Sequence, residues 1–151
     1  MTKNSIQDFR EASRSYSDAS IFMHEAIARK AGLSNADHKY LGLILKYESI
    51  TAGEISKLTG LTTGAVTGLI DRLEKKELLK RQFIREDRRK VIIIPNLENS
   101  MKLLGPIFDE LQQKTLTLIA TFSQKEIESI ERYFREATIL MKETADYLNT
   151  P

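Results

Sequence analysis

The chain has 151 residues, 41% of them apolar and 29% charged, the balance of a single soluble domain able to bury its own core. It holds no cysteine, which excludes disulfides, thiolate metal sites and thiol redox sensing. The net charge of +2 hides an uneven distribution. Residues 72–90 carry nine Lys/Arg against four acids, residues 97–151 carry six against nine, and residues 1–71 balance at eight each. Such a basic stretch is either a footprint for a polyanion or a solvated surface that happens to be basic. Residues 1–10 are polar and lack the apolar run of a signal peptide, and no stretch nears the ~18 apolar residues of a membrane span. The expectation is a cytoplasmic protein with no membrane partner.

Taken in order, the first segment, residues 5–31, places Phe9, Ala12, Tyr16, Ala19, Met23 and Ala26 at alternating spacings of three and four. That spacing predicts a helix with a heptad stripe, which Gly32 ends. Ser34, with Asp37 three residues later, opens a second helix over 35–47 whose buried face is Tyr40, Leu41, Ile44 and Leu45. Thr51 and Glu54 form a capping box for a short helix over 52–59, with Ile55 and Leu58 as core residues and Gly60 as its stop. Thr62 then caps a helix running to about Lys76, with Val66, Leu69, Ile70 and Leu73 on its apolar face.

The pattern changes at Leu79. Residues 79–84 and 90–94 are short runs with β propensity, the second holding Val91, Ile92, Ile93 and Ile94 in a row. Between them lies the charged loop Arg85-Glu86-Asp87-Arg88-Arg89, so a hairpin with a basic tip is predicted. Helical periodicity resumes over 99–121 with Leu104, Ile107, Phe108, Leu111, Leu118 and Phe122. Ser123 and Glu126 form a further capping box, and Ile127, Ile130, Phe134, Ala137 and Met141 stripe a last helix over 124–149. A stripe so long and apolar is not expected to stay wet on a small protein.

Short helix, glycine turn, second helix and basic-tipped hairpin together spell a helix-turn-helix followed by a wing. The helix over 62–76 suits the major groove of B-DNA, and its N-terminal amides suit a phosphate, with Thr62 and Thr63 adding hydroxyls there. Opposite its apolar stripe lie Thr63, Gly64, Thr67, Gly68 and Asp71. Two helical glycines cost roughly 1 kcal/mol each against alanine, so they need a reason. Either the helix backbone comes close to base edges, or it packs closely on another helix. At the hairpin tip, Asp87 is placed to hold Arg89 extended for insertion into the minor groove. Arg88 and Lys90 are placed to touch phosphates, and Arg72 and Arg85 join the expected DNA-binding residues. The alternative is an ordinary solvated charged turn.

The stretch Leu61-Thr-Thr-Gly-Ala-Val-Thr-Gly-Leu-Ile-Asp-Arg-Leu-Glu74, followed by Arg81 and by Asp87-Arg88-Arg89, resembles the MarR family of bacterial regulators. The resemblance implies a mostly α (α+β) winged-helix fold with a helical dimerisation domain. Residues 34–98 would be the winged helix-turn-helix, and residues 1–33 and 99–151 the dimerisation region. Phe9, Tyr16, Met23, Ile127, Ile130, Phe134 and Met141 are the expected dimer contacts. The resemblance further implies a homodimeric repressor on the double-stranded DNA of a pseudo-palindromic operator, released by a small-molecule effector of unassigned identity. Two positions depart from the family pattern. Glu77 stands where a glycine usually follows the recognition helix, and Phe83-Ile84-Arg85 is a more apolar wing entry than usual.

The rival classes are an enzyme and a winged-helix module that binds protein. The two histidines, His24 and His38, lie at no metal-ligand spacing, and no phosphate-binding glycine loop or nucleophile elbow is present. Neither enzymatic activity nor a cofactor is expected. Tyr16, Met23, His24, Tyr40, Tyr47 and Phe108 suit an effector cleft and suit core packing equally, so no effector residue is assigned.

Overall fold

The computed structural model describes residues 3–84 and 87–149, with the side chains of Lys3, Ile84 and residues 87–90 outside that description. Six helices and three short strands follow in the order α1 (Lys3–Lys30), α2 (Asn35–Ile44), β1 (Ile50–Thr51), α3 (Ala52–Thr59), α4 (Thr63–Lys75), β2 (Leu79–Ile84), β3 (Asp87–Pro95), α5 (Leu97–Ile119) and α6 (Gln124–Asn149). The chain divides into two compact units, Met1–Pro106 and Ile107–Pro151.

In the first unit the core gathers Ile27 and Ala28 of α1, Leu41 and Ile44 of α2, Ile55 of α3, the four stripe residues of α4, Leu78, Leu79, and Ile93. The three strands form an antiparallel sheet in the order β1-β3-β2, with Ile50 opposite Ile93 and Leu79 opposite Pro95. The central place of β3 explains its unbroken β-branched run. It has a hydrogen-bonded neighbour on each edge, and Ile93 on one face is fully buried while Val91, Ile92 and Ile94 are partly covered. β3 begins at Asp87, so the expected charged loop is shorter than residues 85–89. β1 is too short to leave a periodic signal, and its sequence does not announce it.

Two further expectations are corrected. Leu58 is half exposed rather than core, because Ile55 alone fills the space beneath α3. α2 stops at Ile44, and Lys46 and Tyr47 continue in tight turns that bond to the carbonyls of Leu43 and Ile44. Along the periodic positions of α5 and the turn after it, Leu104 is buried and Leu118 and Phe122 are exposed.

The helix ends follow the chemistry of their caps. Gly32 has φ 64° and closes α1 with a paired turn, its N–H donating to the Arg29 carbonyl (3.1 Å) and that of Leu33 to the Ala28 carbonyl (2.9 Å). α4 ends in the same paired turn, Glu77 N–H to Glu74 O (2.8 Å) and Leu78 N–H to Leu73 O (3.0 Å). The left-handed position there is Glu77, φ 58°, the one non-glycine residue with positive φ among those described. The turn expected of glycine therefore keeps its shape with a side chain in place. Of the expected dimer contacts, Phe9, Tyr16, Ile130, Phe134 and Met141 are exposed, and Met23 and Ile127 are half-buried. No helix of the described residues is long and apolar enough to cross a membrane.

Candidate nucleic-acid interface

The surface is built from α3 upward. The Thr51 amide donates to the Glu54 carboxylate (2.7 Å) and the Glu54 amide to the Thr51 hydroxyl (3.2 Å), which fixes the start of α3. Buried Ile55 anchors the helix, and Gly60, φ 71°, ends it by donating to the Ser56 carbonyl (2.9 Å). The Ser56 hydroxyl then donates to the Leu61 carbonyl (2.7 Å), holding the turn shut. Thr62 caps α4, its hydroxyl oxygen accepting from the Ala65 amide (3.3 Å) and its carbonyl from Val66 (2.9 Å). The hydroxyl proton of Thr62 is left to donate outward, and the amides of Thr63 and Gly64 fall outside the helix's own bonding. That is the arrangement that meets a phosphate oxygen at a helix N-terminus.

Burial of Val66, Leu69, Ile70 and Leu73 fixes which side of α4 faces out. Thr62, Thr63, Gly64 and Thr67 are exposed and Gly68 is half-exposed. The Thr67 hydroxyl donates to the Thr63 carbonyl (3.0 Å), so what it offers outward is its acceptor lone pairs and methyl group. A Cβ on Gly64 would meet nothing within 4 Å, so no neighbour among the described residues requires a glycine there. A Cβ on Gly68 would stand 3.3 Å from Nη1 of Arg72, the side chain one turn further along.

Arg72 has an acceptor inside the chain. Its Nε donates to both carboxylate oxygens of Asp37 (3.1 and 3.0 Å), and its Nη2 donates to one of them (2.7 Å). Asp37 is nearly fully buried, while the Arg72 side chain remains 54% exposed. Burial pushes the Asp37 carboxyl up, but hydrogen bonds from Arg72 and Ser34 and the Arg72 charge together hold it below its ordinary value. The sequence marks Asp37 only as part of the α2 cap, which it is, with its amide donating to the Ser34 hydroxyl (3.0 Å). Its second partner lies 35 residues away, and no local pattern announces it.

The hairpin is tied to the same helix. On β2, the Arg81 amide donates to the Glu74 carboxylate (2.8 Å), and its guanidinium pairs with both Glu74 and Asp71. Asp71 of the outward face is thus engaged by the hairpin. Arg85 lies outside the described residues. For Asp87, Arg88, Arg89 and Lys90 the described part is the backbone of β3, so their side chains and the expected Asp87–Arg89 pairing are outside the description.

A capped short helix, a left-handed glycine turn, a second helix with an open outer face and a hairpin tethered to it define a winged helix-turn-helix protein. The MarR family model matches residues 33–91. The chain is 34% identical to YcgE of Bacillus subtilis, an uncharacterised HTH-type transcriptional regulator, over 148 residues, 98% of this chain and 93% of that one. Among solved structures, a MarR family protein from Bacillus stearothermophilus superposes with a TM-score of 0.70 at 24% identity, covering 94% of this chain and 99% of that chain. Streptococcus pneumoniae FabT in complex with DNA superposes with a TM-score of 0.73 at 20% identity, over 92% and 99% of the two chains. The chain belongs to the MarR family.

Proposed function

We propose that the protein regulates transcription by binding a pseudo-palindromic operator as a homodimer, with α4 in the major groove and the β2–β3 hairpin at the flanking minor groove. The observation that carries this reading is the outer face of α4. Its N-terminal turn exposes Thr62, Thr63 and Gly64, and among the described residues Gly64 has no packing neighbour that would account for it. Without a side chain at Gly64 the helix can bring its backbone close to base edges at that point. Thr62, Thr63 and Thr67 make the polar contacts on α4, and Arg72, Arg85, Arg88 and Lys90 hold phosphates. Arg89, braced by Asp87, enters the minor groove.

Residues 34–98 form the DNA-binding part in this reading, and residues 1–33 with 99–151 form the dimerisation part. The exposed apolar residues of α1 and α6 support it, because a second copy would cover them. Bound operator would block transcription, and a small-molecule effector would release it. Selection of bound duplexes from a random library tests the reading. Recovery of inverted half-sites about one helical turn apart is the expected result. Recovery of no enriched sequence would point instead to a protein partner for the α4 face.

A further inference from the structure

Side chains on a helix lean toward its N-terminus, so a long residue at position 72 lies back over position 68. In α4 that position is Gly68, and the Arg72 guanidinium occupies the room a larger side chain would take, with Nη1 3.3 Å from the place of a Gly68 Cβ. Gly64 lies one further turn back on the same i, i+4 row, and the place of its Cβ is open. Its hydrogen bonds to Asp37 use Nε and Nη2, and Nη1 takes part in none of them. The pair is asymmetric. Asp37 is buried at the start of α2 and cannot reach a ligand, while Arg72 is half exposed.

We propose that Asp37 is a positioning residue for DNA recognition, holding Arg72 over Gly68 so that its Nη1 meets the DNA backbone alongside α4. The proposal rests on the DNA-binding reading above and adds to it a residue that never touches DNA. Arginine suits the role and lysine does not, since a planar fork can give one edge to a buried carboxylate and keep other N–H groups for a phosphate. Holding the side chain in place removes the entropy it would otherwise lose on binding. Simple charge counting predicts the opposite for Asp37, because a carboxylate under a DNA-facing helix repels phosphate.

The test is titration of a selected duplex and a scrambled duplex with wild type, Asp37→Asn, Arg72→Gln, Arg72→Lys and the Asp37→Asn/Arg72→Gln double variant. Thermal melting and sedimentation are run on each protein. Asp37→Asn is expected to weaken binding to the selected duplex roughly tenfold, one loosened guanidinium in each half-site. On the Arg72→Gln background the same substitution is expected to change nothing further, because Asp37 acts through Arg72. Arg72→Lys, which leaves α2 untouched and keeps the charge, is expected to bind nearly as weakly as Arg72→Gln. It therefore carries the test if Asp37→Asn fails to fold. The salt slope of Arg72→Gln should fall by about one unit for each phosphate that Arg72 neutralises in wild type. Tighter or unchanged binding by Asp37→Asn overturns the proposal, as does full affinity of Arg72→Lys or an undiminished Asp37→Asn effect on the Arg72→Gln background. If wild type binds neither duplex, the DNA-binding reading itself falls, which is a different result from loss of the Asp37 effect alone.

Discussion

Replacing Glu77 by glycine is expected to stabilise the protein although it deletes a side chain. Glu77 sits at φ 58°, closing α4 through its own amide (2.8 Å to Glu74 O) and that of Leu78 (3.0 Å to Leu73 O). Its carbonyl accepts from Asn99 Nδ2 (3.1 Å). On the side of Glu77 these ties run through backbone atoms, so they survive the substitution. A Cβ in the left-handed region costs about 1–2 kcal/mol. Glycine gives back roughly 0.4–1 kcal/mol of that by freeing the unfolded chain. The net gain is on the order of 1 kcal/mol, which for a chain of this size raises the melting midpoint by about 2–4 °C. Melting curves should be recorded at equal chain concentration, since dimerisation would make the midpoint depend on it. Glu77→Ala is the control, because it removes the charge and keeps the Cβ. If alanine stabilises as much as glycine, the gain comes from charge. If glycine destabilises, the turn is not strained and the argument is wrong.

Other outcomes follow from the same contacts. The Asp37 carboxyl lies below its ordinary 3.8, so its contribution is complete above about pH 4 and is lost as pH falls through the lower folded value. His38 is held below its ordinary 6.5 by burial and by the nearby His24, so its contribution is complete above about pH 6.5 and is lost as pH falls. Wild type should therefore melt progressively lower as pH falls below about 6.5, and His38→Gln should flatten that decline; an equal decline in both would remove His38 from the explanation. Phe134→Glu and Met141→Glu should sediment as monomers at micromolar concentration, because both residues are exposed on α6; persistent dimers would place the interface elsewhere. Arg89→Ala should weaken operator binding more than Arg88→Ala, by about 1–3 kcal/mol for each half-site, with Asp87→Ala partly resembling it. Equal effects of the two arginines, with tighter binding by Asp87→Ala, would make the hairpin tip an unspecific basic surface.

What the sequence made legible was local. The capping pairs Thr51–Glu54 and Ser123–Glu126, the stop at Gly60 and the i, i+3, i+4, i+7 stripe of α4 are each contained within a few residues. The structure places α3, α4 and α6 where those signals predict. What escaped was long-range. Asp37 looks like an ordinary cap residue until Arg72 is brought against it from 35 positions away, and Arg81 is a basic strand residue until Glu74 and Asp71 meet it. β1 is two residues long, and only its pairing with β3 makes it a strand. Leu58 misled because a short helix presents few residues to the core, and Ile55 already fills the place. The departure at Glu77 was visible in sequence, but only the backbone reveals that the left-handed turn persists without a glycine.

The central claim is that two copies of this chain present α4 to two half-sites at a fixed distance. The direct measurement is affinity for the selected duplex as the half-site spacing is lengthened by about 5 base pairs and then by about 10, half a turn and a full turn of B-DNA. The account predicts a large loss at the half turn, where one α4 faces away from its groove, with part of the affinity regained at the full turn. Affinity that does not respond to spacing would contradict it, because it would mean that each chain binds DNA alone.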